Sequence, residues 1–192
     1  MQTLLKPKVY VALVHHPVVN KQGDIIASAV TNLDLHDIAR AVKTYGGRGY
    51  YVVTPLTDQQ GLVQKIISHW TSGSGGMRHP KRRDALALVQ VAPTLAAVEA
   101  DISRIEGKAP NTVATSARQG AGRIGFGRLR NLLTEHDPFL LVFGTAWGLA
   151  EPLIQAADYT LAPIATGTGY NHLSVRSAVA IVLDRLLGDQ GI

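Results

Sequence analysis

"FLLVFGTAWGLAEPLIQAADYTLAPI", residues 139–164, contains a whole strand, loop, helix and second extended segment. Phe139 to Phe143 is an unbroken apolar run of strand length, the pattern of a strand covered on both faces. Gly144 ends it, "AEPLIQAA" is helical, and "DYTLAPI" is extended. Strands joined through a helix pair in parallel, and the ligand sites of such sheets lie beyond the carboxyl ends of the strands. The segments after "FLLVF" and after "DYTL" are therefore where a function is expected. In both, small residues and glycines bring backbone N–H and C=O groups close to any ligand.

The same alternation extends outward. "KVYVALVHH" (8–16), rich in β-branched residues and ended by Pro17, predicts a buried strand. "TNLDLHDIARAVKTYG" (31–46) predicts a helix, with Thr31 or Asn32 as cap, Leu35, Ile38, Ala39 and Val42 at helical spacing, and Gly46 at the exit. "GYYVVTP" (49–55) is a second strand and "DQQGLVQKIISHW" (58–70) a second helix. "TSGSGGMRHPKRR" (71–83) is the most linker-like stretch and predicts a flexible basic loop over about 71–84 within a single domain, 1–192. "ALALVQVA" (85–92) is a third strand and "PTLAAVEADISRIEG" (93–107) a third helix. "NTVATSA" (111–117) follows as a strand and "FGRLRNLLTEH" (126–136) as a short helix. A last helix is predicted from about Asn171 to Leu187. The fold class is α/β, a mainly parallel sheet with helices on both faces.

The 192 residues are 46% hydrophobic and 17% charged, and no apolar run approaches the roughly eighteen residues of a membrane span. The N-terminus has no small-residue cleavage site of a signal peptide, and there is no cysteine, so a reducing cytoplasm is expected. Lys and Arg number 19 against 14 Asp and Glu. The excess is local: Lys108, Arg118, Arg123, Arg128 and Arg130 lie in a carboxylate-free stretch, and "MRHPKRR" holds Arg78, Lys81, Arg82 and Arg83. The usual dinucleotide, P-loop, serine hydrolase and zinc protease motifs are missing. His15 and His16 would face opposite sides of a strand, a poor arrangement for one metal, and no metal site is expected.

"NLDLHDIARAVKTYG", "FLLVFGTAWGLAEPLIQAADYTLAPI" and "YNHLSVRSAVAIVLDRLLG" resemble the three ordered motifs of the SPOUT class of S-adenosylmethionine-dependent RNA methyltransferases, the SpoU/TrmD superfamily. The set "HHPVVNKQG", "TNLDLHDIAR", "YYVVTPL", "FGTAWGL" and "YNHLSVRSA" is similar to a small bacterial branch of that class, a group of predicted RNA methyltransferases. The likeness covers nearly the whole chain, with residues 72–110 contributing least. It implies a C-terminal trefoil knot, a homodimer, S-adenosylmethionine as methyl donor and a tRNA or rRNA as substrate. Carried onto this sequence, the donor contacts are Thr115, Ser116, Ala117, Phe143, Gly144, Gly148, Leu149, Leu161, Ala162, Pro163, Ile164, Asn171, Leu173 and Ser174. Arg40 falls where 2′-O-methylating members place a functional arginine. Many relatives have Asn where this chain has Ser174, and Ser where it has Arg176. Ribose oxygen and base nitrogen both remain open as acceptors.

Methyl transfer asks the protein mainly to align donor and acceptor. Arg40 is a poor base and suits a phosphate or a polarised hydroxyl; its alternative is a surface pair with Asp37. Asn171 suits a helix cap, while His172 and Arg176, four apart, would share a helix face. Arg82, Arg83, Arg118, Arg123 and Arg128 are expected to track RNA phosphates, or else to be ordinary solvated surface. The competing function is a non-catalytic module of the same fold that binds a nucleoside or RNA.

Overall fold

In the computed structural model, residues 7–165 and 167–189 are described. The chain opens with β1 (Lys8–Val14), a small hairpin of β2 (Val18–Val19) and β3 (Ile25–Ile26), then α1 (Asn32–Thr44) and β4 (Gly49–Val53). Three helices follow, α2 (Thr57–Thr71), α3 (Ser74–Arg78) and α4 (Pro80–Leu86), leading to β5 (Val89–Ala92) and α5 (Leu95–Glu106). Next come β6 (Asn111–Ala114), α6 (Phe126–Leu132) extended by one 3-10 turn, and β7 (Pro138–Gly144). α7 (Glu151–Ala156), β8 (Tyr159–Thr160) and α8 (Val175–Leu187) complete the order.

The main sheet has six strands in the order β5-β4-β1-β7-β6-β8, with every pairing parallel. β1 and β7 form its centre, and the period-two alternation of β1 sorts its side chains onto two cores. Val9, Val11 and Leu13 pack with Leu35, Ile38 and Val42 of α1 and with Val179, Leu183 and Leu186 of α8. Tyr10, Ala12 and Val14 pack on the opposite face with Val98 and Ile102 of α5. Helices therefore cover both faces, as the strand-helix alternation requires. No helix among the described residues is long and apolar enough to cross a membrane.

The local signals held in detail at α1, where the Thr31 hydroxyl accepts the Asp34 N–H as N-cap. Elsewhere the structure corrects them. The stretch expected to be a flexible basic loop is largely helical, because Pro80 starts α4 and Ala85 and Leu86 reach the core, leaving the basic residues outward. That helix takes the residues that would have begun the third strand, which starts at Val89 instead of Ala85. The last helix begins at Val175, not near Asn171. Its cap is Ser174, whose Oγ accepts the Ser177 N–H at 3.2 Å. The β2–β3 hairpin has no counterpart among the sequence expectations, since each strand is only two residues long.

Candidate functional site

The carboxyl ends of β6, β7 and β8 open into a cavity of about 620 Å³. That lies within the roughly 300–1,000 Å³ of pockets that bury small ligands and cofactors. Its walls are Thr115–Ala117 after β6, Phe143–Gly148 after β7, Leu161–Ile164 after β8, and Asn171–Arg176 at the entry to α8. Ser28, Ala29, Thr31 and Asp34 close the side next to α1. All the donor-contact residues expected from sequence line this cavity except Leu149. Leu149 is buried in the core beneath it.

The loop after β7 is held in an unusual shape. Ala146 has φ 51° and Gly148 φ 111°, the first costing roughly 1–2 kcal/mol for a residue with a Cβ. Two hydrogen bonds to the hairpin hold it there, Trp147 N–H to Val19 O and Val19 N–H to Gly148 O, both 3.0 Å. A Cβ on Gly144 would sit 2.5 Å from the Leu149 nitrogen, so only glycine permits this return of the chain. The loop presents Trp147, 56% exposed, at the cavity.

Beside it, His15 Nδ1 lies 2.9 Å from Ser28 Oγ, which lies 2.5 Å from Thr145 Oγ1, which donates to Val14 O at 3.0 Å. With the Thr145 proton committed to that carbonyl, Ser28 must donate to Thr145, and His15 must donate from Nδ1 to Ser28. Nε2 is then a bare lone pair, and it is buried with no partner among the described residues. Burial lowers the His15 pKa below the usual histidine value and keeps the ring neutral.

The end of the cavity next to α1 is charged. Asp34, 5% exposed, accepts from Arg176 Nη1 on Oδ1 at 3.0 Å and from Thr31 Oγ1 on Oδ2 at 2.6 Å. Arg176 Nε lies 3.4 Å from Asp37 Oδ2, and Arg40 reaches the other oxygen of Asp37 at 4.0 Å. Arg176 therefore faces α1 instead of pairing along a helix face with His172, which precedes the helix and lies against Tyr170. Asn171 is not a cap. Its Nδ2 donates to Ala117 O at 3.1 Å.

Arg40 does not line the cavity; it is exposed on the outer part of α1. Burial holds His36 below its usual pKa, and the charges of Arg82 on α4 and of Arg40 lower it further, so Arg82 and Arg40 share one neighbourhood. Arg82 lies over the Trp70 ring at 4.8 Å and Arg83 pairs with Asp84 at 3.3 Å. Arg123 donates to Leu161 O at 3.3 Å, Arg118 is at the cavity edge, and Arg128 is exposed on α6. Sequence reasoning missed Ser28, Asp34 and Thr145. Ser28 and Thr145 follow strand ends, Asp34 lies in the first turn of α1, and only folding brings residue 28 to residue 145.

The chain matches the family of SAM-dependent RNA methyltransferases over residues 8–188 and belongs to it. It is 49% identical over 180 residues to a tRNA (guanine-N(1)-)-methyltransferase of Oleidesulfovibrio alaskensis, covering 94% of this chain and 42% of that protein. The chain thus spans less than half the length of that relative. An uncharacterized protein of Aquifex aeolicus is 40% identical over 184 residues, 95% of this chain and 90% of its own length. The SpoU methyltransferase AviRb of Streptomyces viridochromogenes, solved in complex with the cofactor AdoMet, superposes with a TM-score of 0.58 at 17% identity, over 95% of this chain and 58% of that one. The last comparison establishes a shared α/β fold.

The residues present fit S-adenosylmethionine, the family's methyl donor. Ser116, Ala117 and Ile164 line the cavity, and their backbone N–H groups have no hydrogen-bond partners among the described residues. They can meet the acceptor nitrogens on an adenine edge.

Proposed function

We propose that this chain methylates a structured RNA, tRNA or rRNA, at the cavity beyond β6, β7 and β8. The observation that carries this reading is the convergence of four chain segments, at 115–117, 143–148, 161–164 and 171–174, on one cavity at the strands' carboxyl ends. S-adenosylmethionine supplies an activated methyl on a sulfonium. The chain's residues hold that donor by backbone groups and by Asn171, exclude water with Phe143 and Leu161, and fix Ser28 and Thr145 through neutral His15.

RNA reaches the site along Arg40, Arg82 and Arg83 on one side and Arg118, Arg123 and Arg128 on the other. We assign Arg40 to the RNA next to the reacting nucleotide; its exposure and its place beyond Asp34 on α1 support contact with a large substrate. The acceptor is a ribose oxygen or a base nitrogen. The name of the Oleidesulfovibrio relative favours testing guanine N1 first.

The proposal extends to a C-terminal knot in one domain. Leu161 N–H bonds Ala114 O while Ile124 N–H bonds Thr160 O and Ala162 N–H bonds Ile124 O, so residues 160–162 run between the two ends of the segment 115–123. That arrangement supports threading. A homodimer working in the cytoplasm completes the reading, supported by Leu33, Trp147, Tyr170 and Leu173, large apolar side chains exposed at or near the cavity. Calorimetry tests the donor site: S-adenosylmethionine and S-adenosylhomocysteine should both bind, and failure of both removes the proposal. Sedimentation at micromolar concentration should give twice the chain mass.

A further inference from the structure

Four charges form a row on α1 and α8. Arg40, Asp37, Arg176 and Asp34 have side-chain exposures of 61%, 49%, 33% and 7%, and each is within 4.0 Å of the next. The row thus descends from the outer surface of α1 to the wall of the cavity, where Arg176 and Asp34 both line it. A guanidinium is a rigid plane with five N–H donors. Here Asp34 takes Nη1 and Asp37 faces Nε, so two carboxylates fix that plane. Thr31 fixes Asp34 in turn. Nη2, with two N–H donors, has no partner among the described residues. A tie between helices would account for Asp34, whose buried carboxylate requires a cation. It does not account for a second carboxylate orienting a guanidinium that keeps two donors unused on a residue lining the cavity.

We propose that Arg176 binds the acceptor nucleotide, its Nη2 donors taking an oxygen of the nucleotide being methylated, with Asp34 and Asp37 as positioning residues. This rests on the cavity being the methyl-donor site. The backbone-lined end of the cavity takes the donor, and the charged row marks the side from which RNA enters. A planar donor fork orients an oxygen in a way that a hydroxyl at this place does not.

The test uses the full chain with S-adenosylmethionine and total tRNA and rRNA from a strain lacking the protein. Arg176→Lys keeps the charge and loses the fork. It should leave donor affinity within about twofold and slow single-turnover transfer by at least about tenfold. Because Arg176→Ala alone would strand a buried carboxylate, the double variant Arg176→Ala with Asp34→Asn serves as the second arm. Its transfer should fall likewise, and added guanidinium, but not methylammonium, should restore part of it. Asp37→Asn should raise KM for RNA without changing donor affinity. If the oxygen is a phosphate, Arg176→Lys with its charge intact keeps the salt slope of RNA binding, and the double variant lowers it by about one; a ribose or base oxygen leaves both slopes unchanged. Wild-type transfer rates in Arg176→Lys and the double variant overturn the proposal, as does a tenfold loss of donor affinity in either. Absence of transfer by the wild-type chain overturns the donor-site reading and this inference together.

Discussion

Asn171 Nδ2 donates to the carbonyl oxygen of Ala117 at 3.1 Å, joining the segment that enters α8 to the segment that leaves β6. The two residues are 54 positions apart and both line the cavity. Replacing Asn171 by Ala removes this tie while leaving the Ser174 cap of α8 in place. We expect donor affinity to fall about three- to tenfold, matching a net hydrogen bond of about 0.5–1.5 kcal/mol, with little change in melting temperature. Calorimetry and a thermal melt check it; unchanged affinity would mean that the cavity does not need this closure.

Gly144 sits where a Cβ would come within 2.5 Å of Leu149 N and 2.8 Å of Gly148 C, both backbone atoms. Gly144→Ala must therefore displace the loop after β7. We expect a stability loss of about 1–3 kcal/mol in urea unfolding, together with loss of donor binding. Normal donor affinity in this variant would remove the loop from the donor site.

His15 is neutral in the folded chain because burial lowers its pKa, whereas the unfolded chain takes up a proton near the ordinary value of about 6.5. Below that pH the unfolded state binds more protons, so stability is full above it and falls as pH drops toward the lower folded pKa. The slope from this one group reaches at most about 1.4 kcal/mol per pH unit. His15→Asn keeps a donor toward Ser28 and cannot titrate. Urea unfolding at pH 7.5, 6.5 and 5.5 should give a shallower decline for this variant than for wild type. His36, also lowered by burial, declines equally in both and cancels.

The basic residues separate by what else they do. Arg82 stacks on Trp70 and Arg123 bonds Leu161 O, so replacing either also perturbs structure. Arg118 and Arg128 are exposed and carry no such tie among the described residues. Arg118→Ala with Arg128→Ala should weaken RNA binding and lower the slope of log K against log salt by roughly one for each phosphate no longer neutralised, with an unchanged melt. An unchanged slope would return both to ordinary surface.

The strand-helix alternation was legible because each buried strand is a continuous apolar run and α1 carries its cap and its apolar spacing within one segment. The segments that meet at the cavity were legible for a similar reason: loops after parallel strands have a fixed place, and motif order picked them out. The 71–84 stretch misled because its glycines and charges outweighed a short run, Ala85 and Leu86, that could be buried only against neighbouring helices. The entry to α8 misled because Asn171 and Ser174 are both capping types. What decides between them is Ala117, a partner no local pattern contains. The charged row across α1 and α8 was invisible because Asp34 and Arg176 are 142 positions apart. Arg176 stood out only as a departure from relatives.

Methyl transfer itself tests the central claim most directly. The chain is incubated with S-adenosylmethionine labelled in the methyl group and total RNA from a strain lacking the protein, and the RNA is digested for mass-spectrometric nucleoside analysis. Label in a single methylated nucleoside of a tRNA or rRNA, absent from the deletion strain's RNA and lost with a donor-site variant such as Gly144→Ala, is the expected result. Donor binding with no label in any nucleoside would contradict it and leave an interaction module on a methyltransferase fold.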